Sequence, residues 1–286
     1  MEMQGEKRKL LDAITADLKS IEGVKAIVLG GSYATGFATE ISDLDIGIYY
    51  SKQNPFDIEN IKAIAKKYAA NDNPTITGYY EWGPWVNGGA WLSTPNVDVD
   101  LLYKNIDQIM KVIDDARDGI WENSYDQQPP YGFSSIIFLA ETKCCIPLYD
   151  PEGIINGLKE SVEQYPHKLK RAIIQQSLWA AEFTIWQAGK FALNDDLYNT
   201  AGCLTRATHQ IVNAIFALNE LYPMGDKRAI DILEKTNKKP FDFRYKVNSI
   251  LSCTNNSLRE NVSCLKKLFN EVVLLAEGQY QPCYEL

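Results

Sequence analysis

The sequence predicts an α+β protein, with a mixed sheet and flanking helices at the N-terminus followed by a C-terminal helical bundle. Three observations carry this expectation. Short apolar or alternating runs interleave with helical patterns as far as about residue 150. Beyond Pro151 no run reads as a strand. The last pattern is a single apolar stripe over roughly five turns, made by Leu258, Val262, Leu265, Leu268, Phe269, Val272, Leu275 and Ala276.

Taken in order, Leu10, Leu11, Ile14, Leu18 and Ile21 recur at helical spacing, which sets a helix over about 6–22 with Gly23 as its stop. VKAIVL (24–29) is short and apolar enough for a buried strand, and after a glycine turn and a short helix, DLDIGIYY (43–50) alternates as a second. FDIENIKAIAKKYAA (56–70) returns to helical period, and ITGYYEWGPWVNGGAWLS (76–93) reads as hairpin strands with irregular turns. NVDVDLLY (96–103) is the third clear strand. A helix follows to Arg117, capped by Asn105, with Ile106, Ile109, Met110 and Ile113 inward. YDQQPPYGF (125–133) is a turn-rich loop, and SSIIFLAETKCCIPLYDP holds one more helix and strand. Helical patterns then cover 165–189, 196–221 and 226–236. The expected domains are therefore 1–150 and 151–286.

Composition narrows the function. With 37 acidic and 29 basic residues the net charge is -8, so no global field draws in a polyanion. A small or cationic partner is expected, and nucleic acid is not. Apolar stretches fall short of a membrane span and MEMQGEKRKLL lacks a signal-peptide core, so the expected location is cytoplasmic, away from membranes. Six cysteines form no C-x-x-C pair, and with only two histidines a zinc site has little to work with. They read as reduced packing thiols, Cys144 and Cys145 included.

The chemistry concentrates in GGSYATGFATEISDLDI (30–46). Gly30 and Gly31 permit a sharp turn and close backbone approach to a ligand, and the Ser32 hydroxyl is available beside them. Free N–H groups there favour an anion. No P-loop lysine follows. Asp43 and Asp45 are two apart on a strand, so they share a face at roughly 6.6 Å between Cα atoms, with Leu44 and Ile46 turned into the core. Two such carboxylates suit magnesium, whose remaining ligands are commonly substrate phosphates. A pair of ions roughly 3.5 to 4 Å apart needs a third carboxylate. VDVDLLY offers Asp98 and Asp100; Asp100 is preferred because the apolar residues after it set it deeper on a strand that should pair beside Asp45. Asp98 then lies toward the mouth.

Gly-Gly-Ser followed by Asp-Leu-Asp and a later strand acid resembles the nucleotidyltransferase superfamily of DNA polymerase beta, which includes aminoglycoside and lincosamide nucleotidyltransferases. GPWVNGGAWL (83–92), VDLLY and ALNELY (217–222) are similar to a group of bacterial nucleotidyltransferase-domain proteins. The resemblance implies that Gly31 and Ser32, with Gly30, contact a triphosphate and that Asp43, Asp45 and Asp100 are catalytic and bind two magnesium ions. It also implies in-line attack on the α-phosphate of ATP or another nucleoside triphosphate, with pyrophosphate leaving. The expected reaction moves AMP to a hydroxyl of a small acceptor, an antibiotic among the candidates, held between the two domains. The alternatives are a protein AMPylator and a non-catalytic nucleotide-binding module. Candidate general bases are Asp98, Glu81 and Glu141; candidate phosphate cations are Lys143, Arg171, Lys170 and Arg206. Trp82, Trp85 and Trp91 are expected chiefly in packing. Arg206 and His209 lie too close for an R-x4-6-H ribonuclease motif.

Overall fold

The structure is a computed structural model that describes residues 3, 5–71, 73–225, 227–254 and 257–286. By packing, the chain forms two compact units, one of residues 1–114 and 138–164, the other of residues 115–137 and 165–286. The last sheet strand does end at Tyr149. The units are nevertheless not separated by one cut near residue 150, because the chain leaves the first unit after residue 114 and returns to it at 138.

The first unit is built on α1 (Gly5–Leu18), β1 (Ala26–Leu29), α2 (Gly31–Thr35), β2 (Leu44–Tyr50), α3 (Ile58–Tyr68), β3 (Thr75–Ile76), β4 (Gly89–Ser93) and β5 (Asp98–Asn105). From α4 (Ile106–Arg117) the chain runs through two short strands of the other unit, β6 (Asn123–Ser124) and β7 (Phe133–Ser134), into α5 (Ile136–Cys144). β8 (Ile146–Tyr149) and α6 (Ile154–Val162) complete it. The sheet order is β3-β4-β5-β2-β1-β8; β2 and β5 are parallel and the other pairings antiparallel. A parallel pair requires a crossover, which α3 and the β3-β4 hairpin supply.

Strand alternation divides the residues of this sheet into two faces. Leu44, Ile46, Ile48 and Tyr50 of β2, Val99, Leu101 and Tyr103 of β5, Ala90 and Leu92 of β4 and Ile27 and Leu29 of β1 all enter one core. Leu11, Ile14 and Leu18 of α1 and Ile61, Ile64 and Ala65 of α3 cover it. Burial of each such aliphatic side chain stabilises by about 1.5–3 kcal/mol, so a one-residue slip of β2 would forfeit the whole set. Tyr50, Phe56, Tyr79 and Tyr103 close the far end, with ring centroids 4.8 to 5.6 Å apart. Gly23 has φ +89° and lies so close to the backbone of Phe56 that a Cβ would sit 2.7 Å from its nitrogen, which accounts for glycine at the α1 stop.

The Asn105 cap is present: its Oδ1 accepts from the N–H of Asp107 at 3.0 Å. One inward residue of α4 is different from expectation, since Met110 is 52% exposed while Val112 and Ala116 are buried with Ile106, Ile109 and Ile113. Met110 sits one helical step to the side of the stripe that those five define.

The second unit is helical apart from the β6-β7 pair. α7 (His167–Leu193) and α8 (Leu197–Leu218) form an antiparallel hairpin, with Asp196 capping α8 by accepting from the N–H of Asn199 at 3.0 Å. The pattern over 226–236 is realised as a single turn and a half, α9 (Ala229–Leu233); its first residue, Asp226, lies outside the described residues. α10 (Phe243–Leu251) and α11 (Leu258–Leu275) pack against the hairpin and each other, the latter through the expected stripe. Among the described residues no helix is long and apolar enough to cross a membrane.

Glu182 of α7 is fully buried and fastens the C-terminal segment. Its carboxyl group accepts from the Tyr280 hydroxyl, from the Cys283 N–H at 3.1 Å and from the Tyr284 N–H at 2.5 Å. Glu182→Ala strips three donors of their acceptor, so urea denaturation should show a loss of about 3 kcal/mol, and limited proteolysis should cut after residue 276 in the variant before it cuts the wild type.

Candidate active site

β1 ends at Leu29, and the chain turns through Gly30 and Gly31 into α2. The Gly30 N–H donates to the Asp45 carbonyl at 2.8 Å, which ties the turn to the start of β2. Gly31 has φ +53°, and a Cβ built on it would lie 1.7 Å from Asp45 Oδ2 and 2.4 Å from the carboxyl carbon. Position 31 is thus reserved for glycine twice, by its left-handed backbone and by the carboxyl group that fills the missing side chain's space. Gly30 is less constrained, its nearest atoms being 3.7 Å from an added Cβ. The Ser32 hydroxyl is partly exposed and takes no protein partner among the described residues.

The parallel register sets Asp45 directly opposite Asp100, so both side chains leave the same face of the sheet, the face opposite the aliphatic core. Trp91 is opposite Asp100 on its other side. Its ring stacks on Trp82 at 4.4 Å, and Trp82 is 46% exposed, an accessible aromatic surface where packing was expected. Asp98 is exposed two residues earlier on β5, and Glu81 is exposed in the β3-β4 connection.

Asp43 is exposed one residue ahead of β2. The segment leading to it is held by Lys7 of α1, which is only 5% exposed and donates from Nζ to the carbonyls of Glu40 at 2.7 Å and Ser42 at 2.9 Å. The same ammonium lies 5.9 Å from the centre of the Tyr33 ring of α2. Lys7 was missed in the sequence because lysine is ordinarily a solvated residue. Its spacing to Leu11, Ile14 and Leu18 nonetheless puts it on the buried stripe of α1.

The remaining candidates separate. Lys143 donates to the Glu163 carbonyl at 2.7 Å, and Glu141 is paired with Lys104 at 2.6 Å, so neither stands ready for phosphate or proton. Lys170 is paired with Glu220 at 2.6 Å, while Arg171 and Arg206 are exposed on α7 and α8 of the other unit. Burial pushes the Cys144 thiol up to about 11 and raises Cys145 as well, which fits packing thiols and not nucleophiles.

Among the described residues no three His, Cys, Asp or Glu side chains are grouped so as to hold a metal by themselves. What the register provides is the pair Asp45 and Asp100, with Asp43 exposed one residue ahead of β2. Two carboxylates are the protein share of a magnesium ion whose other ligands are substrate phosphates and water. The donor set fits such a metal–phosphate complex, and it falls short of a cage that would hold the ion alone.

A glycine turn packed against one of two paired strand aspartates, on a mixed sheet, is the arrangement that the resemblance to nucleotidyltransferases implies. Residues 11–77 match the nucleotidyltransferase domain family, and residues 139–227 match a domain of unknown function, DUF4037. The matched nucleotidyltransferase segment lies within the first unit and contains the Gly30–Gly31 turn and Asp45. No protein of curated function matches the chain. Among solved structures it is similar to a nucleotidyltransferase-like protein from Exiguobacterium sibiricum 255-15, at 8% identity and a TM-score of 0.48 over 96% of this chain and 78% of that one.

The two glycines should differ sharply on substitution. Gly31→Ala should lower the unfolding free energy by about 2–3 kcal/mol, whereas Gly30→Ala should cost less than about 1 kcal/mol; chemical denaturation of the two variants side by side checks this.

Proposed function

We propose that the protein transfers a nucleoside monophosphate, AMP from ATP, to a hydroxyl of a small acceptor in a magnesium-dependent reaction. The observation that carries this reading is the register of β2 against β5, which pairs Asp45 with Asp100 on the face where the Gly31 turn lies. Asp45 and Asp100 are the residues to hold the metal, with Asp43 available one residue ahead of β2. The metal would supply charge neutralisation at the α-phosphate and the leaving pyrophosphate.

The chain's own residues do the rest. The backbone of Gly30 and Gly31 admits a phosphate close to the sheet, and the unengaged Ser32 hydroxyl donates to a phosphate oxygen. Lys7, by fixing the carbonyls of Glu40 and Ser42, holds the approach to Asp43 in one conformation, and preorganisation of this kind is the main protein contribution to phosphoryl chemistry. The exposed face of the Trp82–Trp91 pair gives a base or an acceptor ring a stacking surface. Asp98, exposed and two residues from Asp100 on one face, accepts the proton of the attacking hydroxyl.

Asp45→Asn and Asp100→Asn should each reduce pyrophosphate release by at least ~1000-fold with an unchanged melting profile; near-normal turnover in either would remove the carboxylate pair from the reaction. Ser32→Ala should weaken ATP binding by roughly tenfold, the worth of one hydrogen bond to a charged group, with calorimetry as the check and unaltered affinity as the refutation.

A further inference from the structure

The loop between β3 and β4 holds Trp82 out from the sheet, and its own hydrogen bonds make it a fixed structure. The Tyr80 N–H donates to the Asn87 carbonyl at 3.0 Å, which closes the loop on itself. Asn105, at the end of β5, donates from Nδ2 to the Tyr80 hydroxyl at 2.6 Å and from its backbone N–H to Asn87 Oδ1 at 2.6 Å. Asn87 Nδ2 donates in turn to Gln108 of α4 at 2.7 Å, and Gln108 Nε2 to the Pro84 carbonyl at 2.9 Å. Asn87 and Asn105 are both buried, so the anchors are shielded from water.

Trp91 completes the surface from below. Its ring reaches over Gly89, where an added Cβ would sit 3.2 Å from Cη2, and Trp82 stacks on it with 25° between planes. A large flat side chain, half exposed on an anchored loop, is a preorganised contact surface for a ligand.

The strand register says which ligand. Gly30 is bonded to Asp45, Asp45 is opposite Asp100, and Asp100 is opposite Trp91, so the four stand in one row across β1, β2, β5 and β4. At about 4.8 Å between strands the glycine turn and the tryptophan are roughly 14 Å apart, with the two carboxylates between them. The nucleotidyl-transfer reading, on which this inference rests, puts the leaving pyrophosphate at the glycine end and the α-phosphorus over the acids. Displacement at phosphorus is in line. The bond from the acceptor oxygen to phosphorus therefore forms on the Trp91 side as the bond to pyrophosphate breaks on the other, and the hydroxyl proton passes to Asp98. The nucleoside is joined through an oxygen off that axis, which leaves the tryptophan end to the acceptor.

We propose that the Trp82–Trp91 stack is the platform of the acceptor and not of the nucleobase, and that the acceptor is a planar ring compound with its hydroxyl on or next to the ring. Planarity follows from the outer face of Trp82, on which a flat unsaturated ring makes full contact and a puckered saturated ring does not. The short reach from ring to hydroxyl follows from Trp91 being one strand spacing, about 4.8 Å, from Asp100. Trp82 is then a specificity-determining residue.

The probes are 2-naphthol, its saturated counterpart decahydro-2-naphthol, and an ATP analogue with a methylene group between the α- and β-phosphorus, each titrated calorimetrically into the full chain with magnesium. Wild type should bind 2-naphthol equally well with and without saturating analogue, and decahydro-2-naphthol at least about tenfold more weakly. Trp82→Leu should weaken 2-naphthol about tenfold, the worth of one stacked ring, and Trp82→Phe should restore most of that loss. Both variants should keep the wild-type melting temperature, because Trp82 is half exposed, and the wild-type affinity for the analogue. Displacement of 2-naphthol by the analogue, a parallel loss of analogue affinity in Trp82→Leu, equal binding of the two naphthols, or no binding of 2-naphthol to wild type would each overturn the proposal. An analogue that fails to bind wild type refutes the transfer reading and the acceptor role together, whereas one that binds and competes with 2-naphthol refutes the assignment of the platform alone.

Discussion

The parallel register of β2 against β5 is the constraint on which the rest depends. One face of that pair is filled by Leu44, Ile46, Ile48, Val99 and Leu101, and the aliphatic face fixes the phase of both strands. Asp45 and Asp100 are opposite each other because their neighbours are buried, not because carboxylates attract. Two like charges side by side on a sheet are unfavourable in themselves. The core outweighs that repulsion, and a cation shared with substrate phosphates is the proposed means of relieving it.

Two further contacts convert the paired acids into an organised site. Gly31 lets the Asp45 carboxyl group rest in the space where any other residue would carry a side chain. Lys7 then spans from α1 to the backbone just ahead of Asp43. A buried ammonium bonded to carbonyl oxygens is an expensive element to place in a core helix, and it does something no aliphatic residue at that position would do: it fixes a loop otherwise free of regular structure. Asp43 is consequently exposed yet anchored through its predecessors.

Much of this was legible from spacing. The alternation of DLDIGIYY gave the buried and open faces of β2, and the apolar residues after Asp100 correctly set it beside Asp45. What spacing lacked was the set of contacts made in three dimensions. Asp43 shares a parity with Asp45 and stands one residue ahead of β2, which begins at Leu44. Lys143 and Glu141 looked available because the partners that occupy them, Glu163 and Lys104, are remote in sequence or on another element. α6 and α10 passed unnoticed, each being nine residues long with three buried positions, too few for a periodic signal.

The central claim is that Asp45 and Asp100 form a metal site completed by nucleotide. Crystals grown with manganese and a non-hydrolysable ATP analogue, measured at the manganese edge, test it directly. The account predicts an anomalous peak within coordinating distance of both carboxylates and of a phosphate oxygen, with the triphosphate along the Gly31 turn. A peak touching neither carboxylate, or nucleotide bound away from that turn, would contradict it.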